Sequence, residues 1–89
     1  MKAIITVLGT DRPGIIAEVS AKLYEHNINI LDISQTILQN YFTMVMLVDL
    51  TGMKASYKEM TDVLNRTAEA IGVEIRMQRS DIFDAMHRI

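Results

Sequence analysis

Residues 2–8, Lys-Ala-Ile-Ile-Thr-Val-Leu, are rich in β-branched side chains and stop at Gly9, a pattern that predicts a strand. Ala3, Ile5 and Val7 give it a wholly apolar face, and Lys2, Ile4, Thr6 and Leu8 a mixed one, as expected of a central strand. From Ile15 the period becomes helical. Ile15, Ile16, Val19 and Leu23 share one face with Ala17 and Ala21 beside them, and Glu18 and Lys22 form an i, i+4 pair opposite. Pro13 suits the first helical position, where a missing N–H costs nothing. His26 in the last turn complements the helix dipole, and Asn27 suits the left-handed residue beyond it.

Residues 28–38 read as a long second strand, with Leu31, Ile33 and Ile37 on one face and Ile30, Asp32, Ser34 and Thr36 on the other. Gln39-Asn40 turns the chain into a third strand, 41–50, apolar on both faces through most of its length, so the pair is a hairpin. Ser56 and Glu59 form a capping box for a second helix. Its inner face is Met60, Val63, Leu64, Thr67, Ala68 and Ile71, and Gly72 ends it. Residues 73–79 alternate strictly, Val73, Ile75 and Met77 in and Glu74, Arg76 and Gln78 out, the mark of a half-solvated strand. Ser80 is an N-cap candidate for a short amphipathic helix carrying Ile82, Phe83, Met86 and Ile89, too short to stand without docking. Residues 1–79 thus form one domain and 80–89 a C-terminal helical extension.

The order is βαββαβ. Right-handed split βαβ units give a four-stranded antiparallel sheet with both helices on one face, strands one and three central, two and four at the edges. With 89 residues there is room for one small domain, which association with a second copy would help. Seven methionines read as adaptable core filling. The absence of cysteine removes disulfides and thiolate chemistry and fits the cytoplasm. The N-terminal apolar run is too short for a signal peptide, and no run approaches a membrane span. The net charge is −2 and the basic residues are scattered, so nothing resembles a phosphate-backbone footprint.

Candidate chemistry concentrates in the turn Leu8–Ile16. It holds two of the four glycines and the only proline, between two strongly patterned elements. A second polar segment is Asn27-Ile28-Asn29-Ile30. Asp81, Asp84 and His87 could in principle hold a metal ion, but scattered ligands on a short helix read as a solvated face. No serine, threonine, lysine or histidine is paired with a base, so no catalytic residue, metal or cofactor is expected.

The run Asp11-Arg12-Pro13-Gly14-Ile15-Ile16-Ala17, then Val19, Leu23 and Asn27-Ile28-Asn29-Ile30, resembles the ACT domain, an amino-acid-binding regulatory module of the ferredoxin-like α+β class. The likeness in element order covers residues 1–79. With its extension the chain resembles stand-alone bacterial and archaeal ACT proteins, related to the glycine cleavage regulator type. The resemblance implies homodimers joined at sheet edges, with effector sites at the seam. One wall would be Gly9, Asp11, Gly14 and Ile15, and the other Asn29 and Ile30 of the second copy. Such walls suit an α-amino acid. A helix start offers N–H groups to a carboxylate, Asp11 an anion to the ammonium, and Asn29 both a donor and an acceptor. The expected function is therefore non-catalytic ligand sensing, acting on another protein.

Three alternatives follow from the same residues. One is a dimerisation module without a ligand. Another is an acylphosphatase-like enzyme using Arg12, although Pro13 removes an N–H from that loop. The last is an RNA-recognition sheet, although adjacent Tyr41 and Phe42 must point to opposite faces.

Overall fold

The computed structural model describes residues 1–80. Its elements are β1 (Lys2–Thr10), α1 (Ile15–Glu25), β2 (Asn29–Leu38), β3 (Tyr41–Asp49), α2 (Tyr57–Ile71) and β4 (Val73–Arg79). The four strands form one antiparallel sheet in the order β2-β3-β1-β4, with the two most apolar strands in the middle, as expected. The C-terminal helix expected beyond Ser80 lies outside the described residues.

Apolar side chains from one side of the sheet meet one stripe of each helix. Ala3, Ile5 and Val7 of β1, Phe42, Met44, Met46 and Val48 of β3 and Ile75 of β4 pack with Ile15, Val19 and Leu23 of α1 and Met60, Leu64 and Ile71 of α2. Met44, Met46 and Met60 are fully buried, so the methionines do fill the core. The second helix starts on the expected cap: Ser56 Oγ accepts from the Glu59 N–H at 3.1 Å. It stops at Gly72, whose φ of 73° is the left-handed conformation that glycine adopts without a Cβ penalty.

Four local expectations are corrected. Helix α1 does not begin at Pro13, because Gly14 stands at φ 92° as its N-cap, and a left-handed residue cannot belong to a right-handed helix. Pro13 and Gly14 form the preceding turn. Ile16 is not on the buried face but 38 % exposed, since only the Ile15-Val19-Leu23 stripe reaches the sheet. Lys22 pairs with Glu25 at 3.6 Å rather than with Glu18.

The fourth correction concerns β2. Its register against β3 shifts between Ile30 and Asp32, a bulge at Leu31. Ile30 therefore stands opposite Val48 on the helix side and packs against the core, while Ile33 and Ile37 keep that side opposite Met46 and Phe42. Unbroken alternation would have put Ile30 on the other face.

Two residues at the C-terminal end of α1 meet their expectations. Asn27 takes φ 60° after α1, and its side-chain amide donates to Gly52 O at 2.8 Å. His26 closes the last turn, its Nδ1 lying 2.7 Å from Lys22 O, a contact that requires the proton on Nδ1.

Candidate functional site

The β1–α1 turn is held from two sides. The Asp11 N–H donates to Asn40 O at 2.7 Å, fastening the turn to the β2–β3 hairpin. Arg12 Nη1 donates to Ile71 O at 2.9 Å, so its guanidinium serves the C-terminal end of α2. That bond occupies the cation the phosphate-cradling reading required. The Asp11 carboxylate is exposed and has no side-chain partner among the described residues.

The helix that follows is uncapped. Gly14 has no side chain, and the first helical hydrogen bond runs from Glu18 N–H to Gly14 O at 2.9 Å. The N–H groups of Ile15, Ile16 and Ala17 are left at the positive end of the helix. A Cβ at Gly14 would meet nothing within 4 Å, so this glycine is required by its φ and not by crowding.

Next to this helix start lies an open groove of about 520 Å³ between α1 and β2. Asp11, Gly14 and Ile15 line it together with Ile16, Ser20, Gln35 and Ile37. Three of the six residues singled out from sequence are thus brought together. Gly9 is elsewhere: it sits within β1 between Phe42 and Val73, where a Cβ would come within 2.8 Å of Val73 Cγ1. Its role in the fold is close strand packing.

Asn29 and Ile30 stand at the opposite end of β2 from the groove. Asn29 pairs with Asp49, whereas Ile37 pairs with Phe42 beside α1. Eight residue steps of extended chain lead from Asn29 to Ile37, about 26 Å at a strand's rise. Within one chain the two expected walls do not face each other.

Ile16, Ser20 and Gln35 were not singled out from sequence. The alternation of Ile33, Gln35 and Ile37 was visible, but not that the helices would leave that side of β2 uncovered. Residues Leu31–Leu38 are all exposed, Leu31 and Ile33 each at 43 %, Ile37 at 51 % and Leu38 at 70 %. Together with Ile16 they make an apolar margin along one sheet edge.

The chain thus presents a ferredoxin-like α+β layer in which the α1 start, with Gly14 at the N-cap position and no side-chain cap, lies beside an open edge strand. The ACT domain family model matches residues 2–78, and the chain belongs to that family. ACT domains are regulatory ligand-binding modules. A UPF0237 protein of Clostridium acetobutylicum is 52 % identical over 89 residues, covering 100 % of both chains. The solved structure of an ACT domain protein from Streptococcus pneumoniae superposes with a TM-score of 0.82 at 42 % identity, covering 98 % of each chain. A solved structure of a proposed glycine cleavage system transcriptional repressor gives a TM-score of 0.72 at 27 % identity, over 88 % of this chain and 44 % of that one.

Proposed function

We propose that two copies of this chain join along β2 and bind an amino acid at each end of the seam, without catalysis, to regulate a partner protein. The observation that carries this is the exposed apolar edge strand lying directly beside the uncapped α1 N-terminus. A long, exposed apolar strand edge is a template for pairing. Antiparallel pairing about a two-fold axis near Ile33 and Ser34 brings Asn29 and Ile30 of one copy to Ile37 and Leu38 of the other. The groove of one copy then gains the missing wall from its neighbour.

In this reading the free N–H groups of Ile15, Ile16 and Ala17 receive the carboxylate, and Asp11 receives the ammonium. Ile30 of the second copy, on the helix side, and Ile15 flank the ligand's side chain, whereas the Asn29 side chain faces the other side of the sheet and has no bond to the ligand in this arrangement. Gly9 holds the strand behind this wall close to β4. The ligand acts by its differential affinity for two arrangements of the pair, and the change passes to the regulated protein. The cytoplasm is the compartment this role and a cysteine-free chain fit.

Sedimentation and a calorimetric titration with the common amino acids test both halves. The expected result is a dimer that releases or takes up heat with at least one amino acid, and Asp11→Ala abolishes that heat while leaving the dimer. Ile33→Lys weakens association at least about tenfold, or ~1.4 kcal/mol. A dimer that gives no heat and no thermal stabilisation with any amino acid would make this a dimerisation module instead. A wild-type monomer at high concentration would overturn the seam.

A further inference from the structure

The β1–α1 turn is clasped around the junction between α2 and β4. Helix α2 ends at Ile71, Gly72 follows at φ 73° with its N–H bonded to Ala68 O, and Val73 opens β4. At one side of the clasp the Val73 side chain packs where Gly9 has no Cβ. At the other, Arg12 Nη1 donates to Ile71 O at 2.9 Å. A carbonyl at the end of a helix has no partner within it and lies at the negative end of the dipole, so a guanidinium suits it. A Cβ at Gly72 would meet nothing within 4 Å, so hydrogen bonds and not crowding hold this junction in place.

Arg12 also lines the α1–β2 groove beside Asp11 and Gly14. Gly72 and Val73 line a different cavity, a cleft of about 440 Å³ shared with Leu8, Tyr41 and Glu74. Leu8 and Glu74 are cross-strand partners on the face of the sheet away from the helices, and Tyr41 points the same way, opposite to buried Phe42. Asp11 supplies a second link, because its N–H donates to Asn40 O, one residue before Tyr41. Two adjacent residues of the turn therefore fasten both walls of a cleft on the far side of the sheet.

We propose that Arg12 is a positioning residue through which an amino acid in the groove sets the α2–β4 junction, and with it the cleft on the open face. This rests on the reading of the groove as an effector site. A carboxylate drawn to the N–H groups of Ile15, Ile16 and Ala17 fixes the start of α1 and the turn before it. Arg12 carries that restraint to Ile71 O, which keeps Gly72 left-handed and Val73 against Gly9. The guanidinium gives no bond to the ligand, since it is engaged on α2. Linkage makes the effect reciprocal: a bond that tightens when ligand binds also raises the ligand's affinity.

Full-length protein titrated with each of the common amino acids, with amide hydrogen exchange followed in the presence and absence of one that gives heat, tests this. In wild type the ligand is expected to slow exchange severalfold at Gly72 and Val73 as well as at the start of α1. Arg12→Ala is expected to remain a dimer, to bind that amino acid at least about tenfold more weakly, and to lose the slowing at Gly72 and Val73 while keeping it at α1. Arg12→Lys, whose ammonium can still donate to Ile71 O, is expected to recover part of both. Arg76→Ala, which removes a cation from β4 without touching the turn, is expected to change neither. Slowing confined to α1 in wild type would overturn the coupling alone, and that measurement decides even where Arg12→Ala fails to fold. Unchanged affinity and slowing in Arg12→Ala would overturn it equally. No heat with any amino acid would overturn the effector reading of the groove and the coupling with it.

Discussion

Strands β2 and β4 both close the sheet, yet they are finished in opposite ways. β4 is seven residues long, lies under α2 and alternates cleanly, with Ile75 buried and Glu74 and Arg76 outside. Its exposed positions carry the charges that keep an edge from pairing with another chain. β2 is ten residues long, and its helix side, with Ile33, Gln35 and Ile37, is exposed because α1 touches only its margin. One edge is completed by its own chain. The other presents apolar side chains on the covered side of the sheet with no cover, the arrangement a second copy completes.

Substitutions at matched positions test this contrast most strongly. Ile75→Ala is expected to destabilise the fold by about 2–5 kcal/mol in urea unfolding, because it opens a cavity in the core. Ile33→Ala, measured at low protein concentration, is expected to cost less than about 1 kcal/mol, because the side chain is already half in water. Equal losses would end the distinction between the edges.

Next in size is Gly9→Ala at the β1–β4 junction. The new Cβ would press on Val73 Cγ1, and overpacking of this kind costs about 1–3 kcal/mol. Val73→Ala in the same chain is expected to recover part of that loss, a non-additivity that unfolding midpoints read directly.

The tie between α2 and β4 is smaller and depends on pH. Tyr57 Oη donates to Met77 O at 3.0 Å, and burial raises the phenol above its ordinary value of 10.0. The folded state therefore holds this proton more tightly than the unfolded chain. The contribution is complete below the ordinary phenol range and fades as pH rises through the elevated folded value. Tyr57→Phe is expected to cost about 1 kcal/mol at neutral pH and to flatten the alkaline slope of stability.

The smallest effect belongs to the β2 side. Asp49, opposite Asn29, accepts from the Thr51 hydroxyl at 2.6 Å and the Thr51 N–H at 3.0 Å. These bonds, the hydroxyl first, hold its carboxyl below the ordinary 3.8. Its stabilisation is present above that value and is lost as pH falls through the lowered one. Asp49→Asn is expected to leave neutral stability nearly unchanged and to remove a small part of the acid dependence, followed by circular dichroism.

The strand order was legible because period and face composition agree: strands apolar on both faces must be central, and a strand that alternates to Gln78 must be an edge. The α2 boundaries were legible because Ser56 and Gly72 carry their own geometry. The start of α1 was not, since a proline preference argued for residue 13 while the left-handed Gly14 decides for residue 15. The bond from Arg12 to Ile71 O spans 59 positions, and no local pattern announces such a contact. Of the candidate site, Asp11, Gly14 and Ile15 could be grouped from sequence because they are neighbours. Gln35 and Ile37 join them only through the sheet, and the exposure of β2 depends on how far α1 reaches, which three-dimensional packing sets.

The bulge at Leu31 has a consequence for how this gene can change. Because side chains alternate with a period of two, that one extra residue sets Ile30 toward the helices and Asn29 away from them while leaving Ile33 to Leu38 in phase with β3. Deleting the Leu31 codon would straighten the ladder and still leave Ile30 opposite Val48 and Asn29 opposite Asp49, so the hairpin, the core and the facing of both residues would stand. Deleting one residue within 34–38 would instead turn Ile30 and Ile33 to the opposite side of the sheet. Length is therefore freer at this one surface position than in the rest of the strand.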